Sequence, residues 1–284
     1  MSDSTTTAGT APGAAAARRT GRTEETADAG GAGTRLTLGG RSVRCTSPAE
    51  ARLLWNEMSS EGFYRRAAAR LRPGDVVVDV GANVGLASLA FAEAQPEARI
   101  IALEPVPELF SCLEENLAAH VRNGTAVRAA VCDAPGVRTL QYYPEAPGNS
   151  GLYADREADD EVTRTYLRNG GMDEESIELL VEDLHEGRPV EVDAVTVSQV
   201  LDRHGIAEVA LLKVDVERAE LDVLRGVGDG DWSRIRNVVA EVHDDEGRLD
   251  AVRALLHDRG FVSRVRQDPG LKGTRLYEVD ALAG

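Results

Sequence analysis

One stretch decides the fold: Val76-Val77-Val78-Asp79-Val80-Gly81-Ala82-Asn83-Val84-Gly85-Leu86. The run of valines predicts a strand covered on both faces, because a half-exposed strand alternates apolar and polar residues. Gly81 and Gly85 then bracket a tight turn in which the backbone can lie close to a ligand. Leu86 begins a predicted helix whose N-terminus faces the same space. This order of strand, glycine turn and helix indicates a parallel α/β sheet.

The residues around the turn bear on the kind of cofactor. A pyrophosphate-binding loop reads G-x-G-x-x-G, but Asn83 replaces the middle glycine here and the last spacing differs. Asp79 precedes the turn, where its negative charge would oppose two phosphates. Glu104 ends the next predicted strand and is placed to accept hydrogen bonds from two ribose hydroxyls. We therefore expect a cationic, phosphate-free cofactor such as S-adenosylmethionine (SAM), held by Asp79, Gly81, Asn83, Gly85 and Glu104.

Two of the polar residues near this site have alternative interpretations. Asn83 either contacts the cofactor or is a turn residue, because Asn tolerates unusual backbone angles. Asp133 follows a third predicted strand over residues 126–132. It either accepts a hydrogen bond from an adenine amino group or belongs to the turn that continues through Ala134-Pro135-Gly136.

Composition limits the classes of function. The chain has 284 residues, of which 42% are hydrophobic, and this suits one large or two small domains with an ample core. No apolar run is long enough for a membrane span, and no signal-peptide core is evident. Three cysteines without metal-type spacing suggest buried thiols in the cytoplasm. A net charge of −16 argues against a nucleic acid partner.

The pattern predicts three regions. Residues 1–33 are read as a disordered tail. Residues 34–73 form a hairpin that turns on Gly39-Gly40, followed by two helices. Residues 74–284 form an α/β domain that is interrupted at about 137–190 by an acidic insertion with several tyrosines, interpreted as a lid. The last two strands are predicted to form an antiparallel hairpin.

Four motifs together resemble FkbM-type SAM-dependent methyltransferases. They are residues 79–85, Leu103-Glu104-Pro105, residues 212–221 and Glu241-Val242-His243. The resemblance implies a class I methyltransferase fold: a mostly parallel Rossmann-like sheet with a C-terminal antiparallel hairpin, N-terminal helices and a lid. Many relatives have glycine where this chain has Arg218. Because arginine adopts positive φ only at a cost, we expect the helix here to begin in regular right-handed geometry.

The lid narrows the resemblance to a polyketide-associated branch. That branch O-methylates a 2-hydroxymalonyl unit on an acyl carrier protein, which gives a methoxymalonyl extender unit. The resemblance assigns the substrate to Tyr143, Asn149, Ser150 and Glu241. A free natural-product or sugar hydroxyl is the alternative acceptor. Two other classes of function are considered. One is an NAD-dependent oxidoreductase, which the missing G-x-G-x-x-G motif disfavours, and the other is a binding module without catalytic activity.

Three residues are candidates for catalysis. His243 follows the fifth core strand, where ligands gather in open α/β sheets, and is the candidate general base; the alternative is a histidine that caps the strand. Asp215 could orient the acceptor hydroxyl. Lys213 either pairs with a neighbouring carboxylate, the preferred reading, or holds a substrate carboxylate. Asp215, Glu241 and His243 could alternatively bind Mg²⁺, although strand-tip acids often serve without metal.

The carrier hypothesis also predicts a docking surface. Carrier proteins are usually acidic, and this chain is acidic too, so docking would need a local basic patch. The candidate patch consists of Arg65, Arg66, Arg70 and Arg72. The sequence leaves a monomer and a homodimer open.

Overall fold

A computed structural model describes residues 26–27, 33–59 and 62–284. The strands in this part are β1 Thr26–Ala27, β2 Thr34–Leu38, β3 Arg41–Cys45, β4 Val76–Val80, β5 Arg99–Leu103, β6 Gly124–Val127, β7 Ala130–Val131, β8 Gly136–Tyr142, β9 Arg188–Val195, β10 Leu211–Val214, β11 Asn237–His243, β12 Phe261–Arg266 and β13 Leu276–Ala283. The α-helices are α1 Pro48–Ser59, α2 Phe63–Ala68, α3 Leu86–Ala94, α4 Pro107–His120, α5 Arg156–Asn169, α6 Glu174–Val181, α7 Val197–Arg203, α8 Glu220–Arg225 and α9 Arg248–Asp258.

The central sheet has seven strands in the order β12-β13-β11-β10-β4-β5-β6. Strands β11, β10, β4, β5 and β6 pair in parallel, while β13 runs antiparallel to both of its neighbours. The strand order reverses between β4 and β10, and ligands bind at such switch points in open α/β sheets. The predicted mostly parallel sheet with a C-terminal antiparallel hairpin is confirmed.

Helices cover both faces of the sheet. Alternate residues of β4 and β5, such as Val77 and Ile100, pack with α1–α4, while Val78 and Ile101 pack with α7–α9. Both faces are therefore buried, which explains why β4 is a run of valines without alternation. Within the described ranges, none of the helices combines the length and apolar character of a membrane-spanning segment.

Two predictions about the strands were wrong. The strand predicted over residues 126–132 is divided: β6 ends at Val127, and β7 joins a separate sheet with the order β7-β9-β8. The chain leaves the central sheet because Ala130 and Val131 pair with Ala194 and Val195 of β9. The predicted tail contains β1, which pairs with β2; its other residues before Gly33 lie outside the described part.

The segment predicted as a lid is more regular than expected. Residues 137–142 continue strand β8, and α5 extends over Arg156–Asn169 within the insertion. Asp155 caps α5 by accepting a hydrogen bond from the Ala158 N–H at 3.2 Å, and Asp173 caps α6 in the same way. The hairpin of β2 and β3 and the helix that begins at Pro48 are confirmed.

Gly81 is required by the close approach of β4 and β10. Its φ is +74°, and a Cβ atom at this position would lie 1.7 Å from the carbonyl oxygen of Asp215. We expect Gly81→Ala to lower the free energy of unfolding by more than the roughly 1–2 kcal/mol that positive φ costs a residue with a Cβ atom. Gly74→Ala is the matched control, because Gly74 has φ +81° with open space around it. Equal losses for the two variants in urea unfolding would contradict this role.

Candidate active site

A cavity of about 670 Å³ opens at the carboxyl ends of β4, β5, β10 and β11. Its walls come from α1, from the loop over residues 145–152, and from α5 and α6. The insertion therefore covers the switch point, which is the position expected of a lid. The volume lies within the range typical of small-molecule sites.

The glycine turn forms one wall of this cavity. Gly81 and Asn83 line it, and both have positive φ. Gly85, at φ +94°, precedes α3, and a Cβ atom there would lie 2.9 Å from Leu113 Cδ1. Gly85 therefore lets α3 pack closely on α4 and does not itself line the cavity.

Glu104 lies beside the turn, at the tip of β5, and is buried. Its Oε2 accepts a hydrogen bond from the Asn83 N–H and its Oε1 accepts one from the Val106 N–H, each at 2.9 Å. Burial outweighs these two hydrogen bonds and raises the pKa of Glu104 to about 7. The carboxylate lines the cavity in a fixed orientation, as an acceptor for a pair of hydroxyls would require.

Asp79 and Lys213 form a buried pair beneath the turn. Lys213 Nζ lies 3.1 Å from Asp79 Oδ1 and donates a hydrogen bond to the Gly81 carbonyl at 2.6 Å. Ser88 Oγ donates to Asp79 Oδ2 at 2.6 Å. Asp79 thus supports the turn from below and does not line the cavity. The structural pairing preferred for Lys213 is confirmed.

Two acids from neighbouring strands meet at the cavity floor. The hydroxyl of Tyr64, from α2, donates a hydrogen bond to Glu241 Oε1 at 2.7 Å and lies 3.2 Å from Asp215 Oδ2. Asp215 Oδ2 also lies 3.3 Å from Lys213 Nζ. Glu57 of α1 lines the same region, and burial together with the charge of Asp215 raises the pKa of Glu57 to about 7.

The structure places His243, the predicted base, outside the cavity lining and between two carboxylates. Its Nε2 lies 3.2 Å from Glu217 Oε2 and its Nδ1 lies 3.1 Å from Glu220 Oε1. Burial opposes the charged imidazole, but the two carboxylates outweigh burial and raise the pKa of His243 to about 10. His243 is therefore protonated at neutral pH. The residues lining the cavity include Glu217 but not His243.

The expectation of regular geometry at Arg218 was wrong. Glu217 and Arg218 have φ values of +50° and +73°, and α8 begins only at Glu220. The Arg218 N–H donates to Glu220 Oε1 at 2.8 Å, and the guanidinium lies 2.6 Å from Asp159 Oδ1 of α5. The contacts with these buried partners offset the roughly 1–2 kcal/mol that positive φ costs each residue with a Cβ atom. The strained backbone turns Glu217 toward the cavity.

The predicted substrate residues are divided between two locations. Asn149, Ser150 and Glu241 line the cavity. Tyr143 is buried away from it and donates a hydrogen bond to Asp159 Oδ2 at 3.2 Å. Asp133 is exposed and does not line the cavity, because the strand that precedes it has left the central sheet.

Comparison with known proteins identifies the family. The model of the methyltransferase FkbM domain matches residues 79–263. The 31-O-demethyl-FK506 methyltransferase FkbM of Streptomyces tacrolimicus is 41% identical over 243 residues, which cover 85% of this chain and 94% of that protein.

This chain belongs to the FkbM methyltransferase family.

Two further proteins and one solved structure are also similar to this chain. The methyltransferase sdnD of Sordaria araneosa is 33% identical, and the match covers 78% of this chain and 85% of that protein. The AMB antimetabolite synthetase AmbE of Pseudomonas aeruginosa is 36% identical over 273 residues, which are 91% of this chain and 13% of AmbE. A solved FkbM methyltransferase from Methylobacillus flagellatus superposes with a TM-score of 0.46 at 12% identity, covering 81% of this chain and 57% of that one.

As a family member, this protein is a SAM-dependent methyltransferase, and its residues suit that donor. The turn at Gly81 leaves room for close approach of a ligand, and the buried carboxyl group of Glu104 beside it would accept hydrogen bonds from the ribose hydroxyls of SAM. The Oδ1 atom of Asn83 is buried without a hydrogen-bond partner, so it is an acceptor that a ligand can use. Bound SAM would supply an electrophilic methyl group.

The residues of this site do not support the hypothesis that it binds Mg²⁺. In the described ranges, no group of three or more His, Cys, Asp or Glu side chains is placed to hold a metal ion. Asp215 and Glu241 share the Tyr64 hydroxyl, and His243 is occupied by Glu217 and Glu220.

The sequence did not point to Tyr64, Glu57 and Glu217 as residues of the active site. The first two lie on N-terminal helices far from the motifs, and no spacing rule places those helices over the sheet. Glu217 was part of a quoted motif, and its place in the Asp-x-Glu pattern after β10 was the available signal.

Replacing Glu104 tests the cofactor site. Glu104→Gln puts an amide N–H₂ against one of the two backbone N–H donors and removes the charge that accepts ribose hydroxyls. We expect SAM to bind roughly 10–100-fold more weakly, in line with the 1.5–3 kcal/mol of a charged hydrogen bond. Calorimetric titration measures the affinity, with Glu93→Gln on the exposed face of α3 as the control. Unchanged affinity would exclude this role.

His243 should make stability depend on pH. Its folded pKa of about 10 exceeds the unfolded value of about 6.5, so its contribution is complete below pH ~6.5 and is lost as the pH rises through ~10. We expect His243→Gln to be less stable than the natural protein by roughly 3–5 kcal/mol at pH 6, with a difference that narrows toward pH 10. His257→Gln, at an exposed histidine, should show no such trend. A constant difference across this range would refute a charged His243.

Proposed function

We propose that this protein transfers the methyl group of SAM to a hydroxyl of a natural product, and that the acceptor is uncharged or cationic where it meets the cavity floor. The charge of the cavity lining carries this proposal. Carboxylates of Glu57, Asp215, Glu217, Glu241 and Glu278 line the floor. Lys213 is the only basic residue among the described residues of the lining, and it already contacts Asp79 and Asp215.

Part of the cavity lining is apolar. Leu53 of α1, Leu167 of α5 and Leu180 of α6 line it, and Leu53 and Leu180 are about half exposed. Such a wall suits the carbon skeleton of an acceptor whose hydroxyl reaches the acidic floor. The relative named as a 31-O-demethyl-FK506 methyltransferase supports an acceptor that is a natural product.

The carrier-bound 2-hydroxymalonyl unit is the less favoured acceptor. Its free carboxylate would lie beside Asp215 and several buried carboxyl groups without an available cation, and like-charge contacts of this kind disfavour binding. The basic patch proposed for docking is also partly occupied. Arg70 pairs with Asp280, and Arg66 lies 3.7 Å from Glu278, both on β13.

Competition between acceptors tests this proposal. Purified protein and SAM are incubated with equal amounts of 31-O-demethyl-FK506 and of 2-hydroxymalonyl acyl carrier protein, and mass spectrometry locates the added methyl group. We expect methylation of the free compound only. A second series varies the charge beside the hydroxyl of one apolar alcohol. We expect the amine-bearing and neutral members to react faster than the carboxylate-bearing member.

Two results would separate the parts of the proposal. Methylation confined to the carrier protein would overturn the acceptor class and leave the methyl transfer intact. Failure of SAM and S-adenosylhomocysteine to bind in calorimetry would overturn the methyl transfer itself.

A further inference from the structure

We propose that Glu241 is the proton acceptor of the reaction and that Tyr64 is the residue that positions it. This proposal rests on the methyl transfer proposed above. In this role Glu241 takes the place of His243, which is protonated and lies behind Glu217.

Glu241 lies next to the expected position of the methyl donor. The Asp215 carbonyl oxygen packs against Gly81, so the tip of β10 touches the glycine turn. The side chains of Asp215 and Glu241 are joined through the hydroxyl of Tyr64 at 3.2 Å and 2.7 Å. A hydroxyl over the tips of β10 and β11 can therefore face both the donor and Glu241.

The surroundings distinguish Glu241 from Asp215. The ammonium of Lys213 already engages Asp215, at 3.3 Å. The neighbours of Glu241 are instead the phenol of Tyr64 and the carboxyl groups of Asp215 and Glu57. Burial first, and then the charges of Asp215 and Glu57, raise the pKa of Glu241 well above its usual range. A carboxylate with a raised pKa accepts a proton more readily, and pairs of acids with unlike environments divide such roles.

Tyr64 fixes the orientation of Glu241. Its side chain is buried, and its ring packs edge-to-face on Phe63 and Phe91 at centroid distances of 5.1 and 6.5 Å. The phenol hydrogen is donated to Glu241 Oε1, which leaves Oε2 for the acceptor hydroxyl. A hydroxyl group that touches no reacting atom can thus control the base through one hydrogen bond.

The reaction balances with these groups alone. The acceptor oxygen attacks the methyl carbon, the new C–O bond forms as the C–S bond breaks, and sulfur keeps the electron pair of that bond. The hydroxyl proton passes to Glu241. The products are a methyl ether, S-adenosylhomocysteine and a protonated carboxyl group, which returns its proton to water.

Proton release on binding tests the proposal without an acceptor. SAM carries a sulfonium charge that S-adenosylhomocysteine lacks. This charge lowers the pKa of a carboxyl group close to the sulfur, so that group releases a proton when SAM binds but not when S-adenosylhomocysteine binds. Calorimetry near pH 7.5 in two buffers of different ionisation enthalpy counts the protons released with each ligand. We expect the natural protein and Glu93→Gln to release more protons with SAM than with S-adenosylhomocysteine, and Glu241→Gln to lose that excess.

The same measurement identifies the alternative. The charged or titratable side chains around Glu241 are Lys213 and Asp215 of β10, Glu217 after it, Tyr64 of α2, Glu57 of α1, Glu278 of β13 and Asp268 before it. If Glu57→Gln abolishes the excess and Glu241→Gln retains it, Glu57 is the group beside the sulfonium and the proposal fails. Absence of binding by either ligand would instead refute the methyl transfer.

Turnover supplies the second test, with 31-O-demethyl-FK506 as the probe acceptor. A base must be ionised, so kcat of the natural protein should fall as the pH drops below the pKa of Glu241. Glu241→Gln should lower kcat by about 10²–10⁴-fold and remove this fall of kcat at low pH, the acidic limb of the profile. Glu241→Asp should restore part of the lost kcat. Tyr64→Phe should lower kcat and shift the limb with KM for SAM unchanged. An unaltered limb in Glu241→Gln would overturn the assignment.

Discussion

The buried ammonium of Lys213 is the charge on which the architecture of the site depends. Three oxygen atoms surround it, from Asp79, from the Gly81 carbonyl and from Asp215, at 3.1, 2.6 and 3.3 Å. An unpaired charge in the interior costs several kcal/mol, so these contacts hold β4 and β10 together where the strand order reverses. The glycine turn, the donor site and the cavity floor are thereby fixed relative to one another.

Negative charge left over from this arrangement sets the chemistry of the cavity. Lys213 neutralises part of the charge of Asp79 and Asp215, and His243 pairs with Glu217, while Glu57 and Glu241 also line the floor. A sulfonium ligand is favoured in such surroundings. Burial first, and then repulsion from neighbouring carboxylates, raise the pKa of Glu57 and Glu241.

A second buried network connects the lid with the cavity. Arg218 joins the strained segment after β10 to Asp159 of α5, and His243 joins Glu217 to Glu220. The positive φ values of Glu217 and Arg218 persist because these buried ion pairs hold the segment in place. A histidine that looks catalytic in the sequence therefore serves as a cation that holds an acid in place.

The sequence by itself determined the sheet, the glycine turn, the C-terminal hairpin and the place of Glu104 at the end of a strand, because each follows from local periodicity or from a motif within one βα unit. Only the tertiary structure decided the roles of charged groups. The protonation of His243 depends on Glu217 and Glu220, which lie 26 and 23 residues away along the chain. The floor depends on Tyr64, which lies 151 residues from Asp215 and 177 from Glu241. Coulomb energy and burial depend on distances in space, and neither can be read from spacing along the chain.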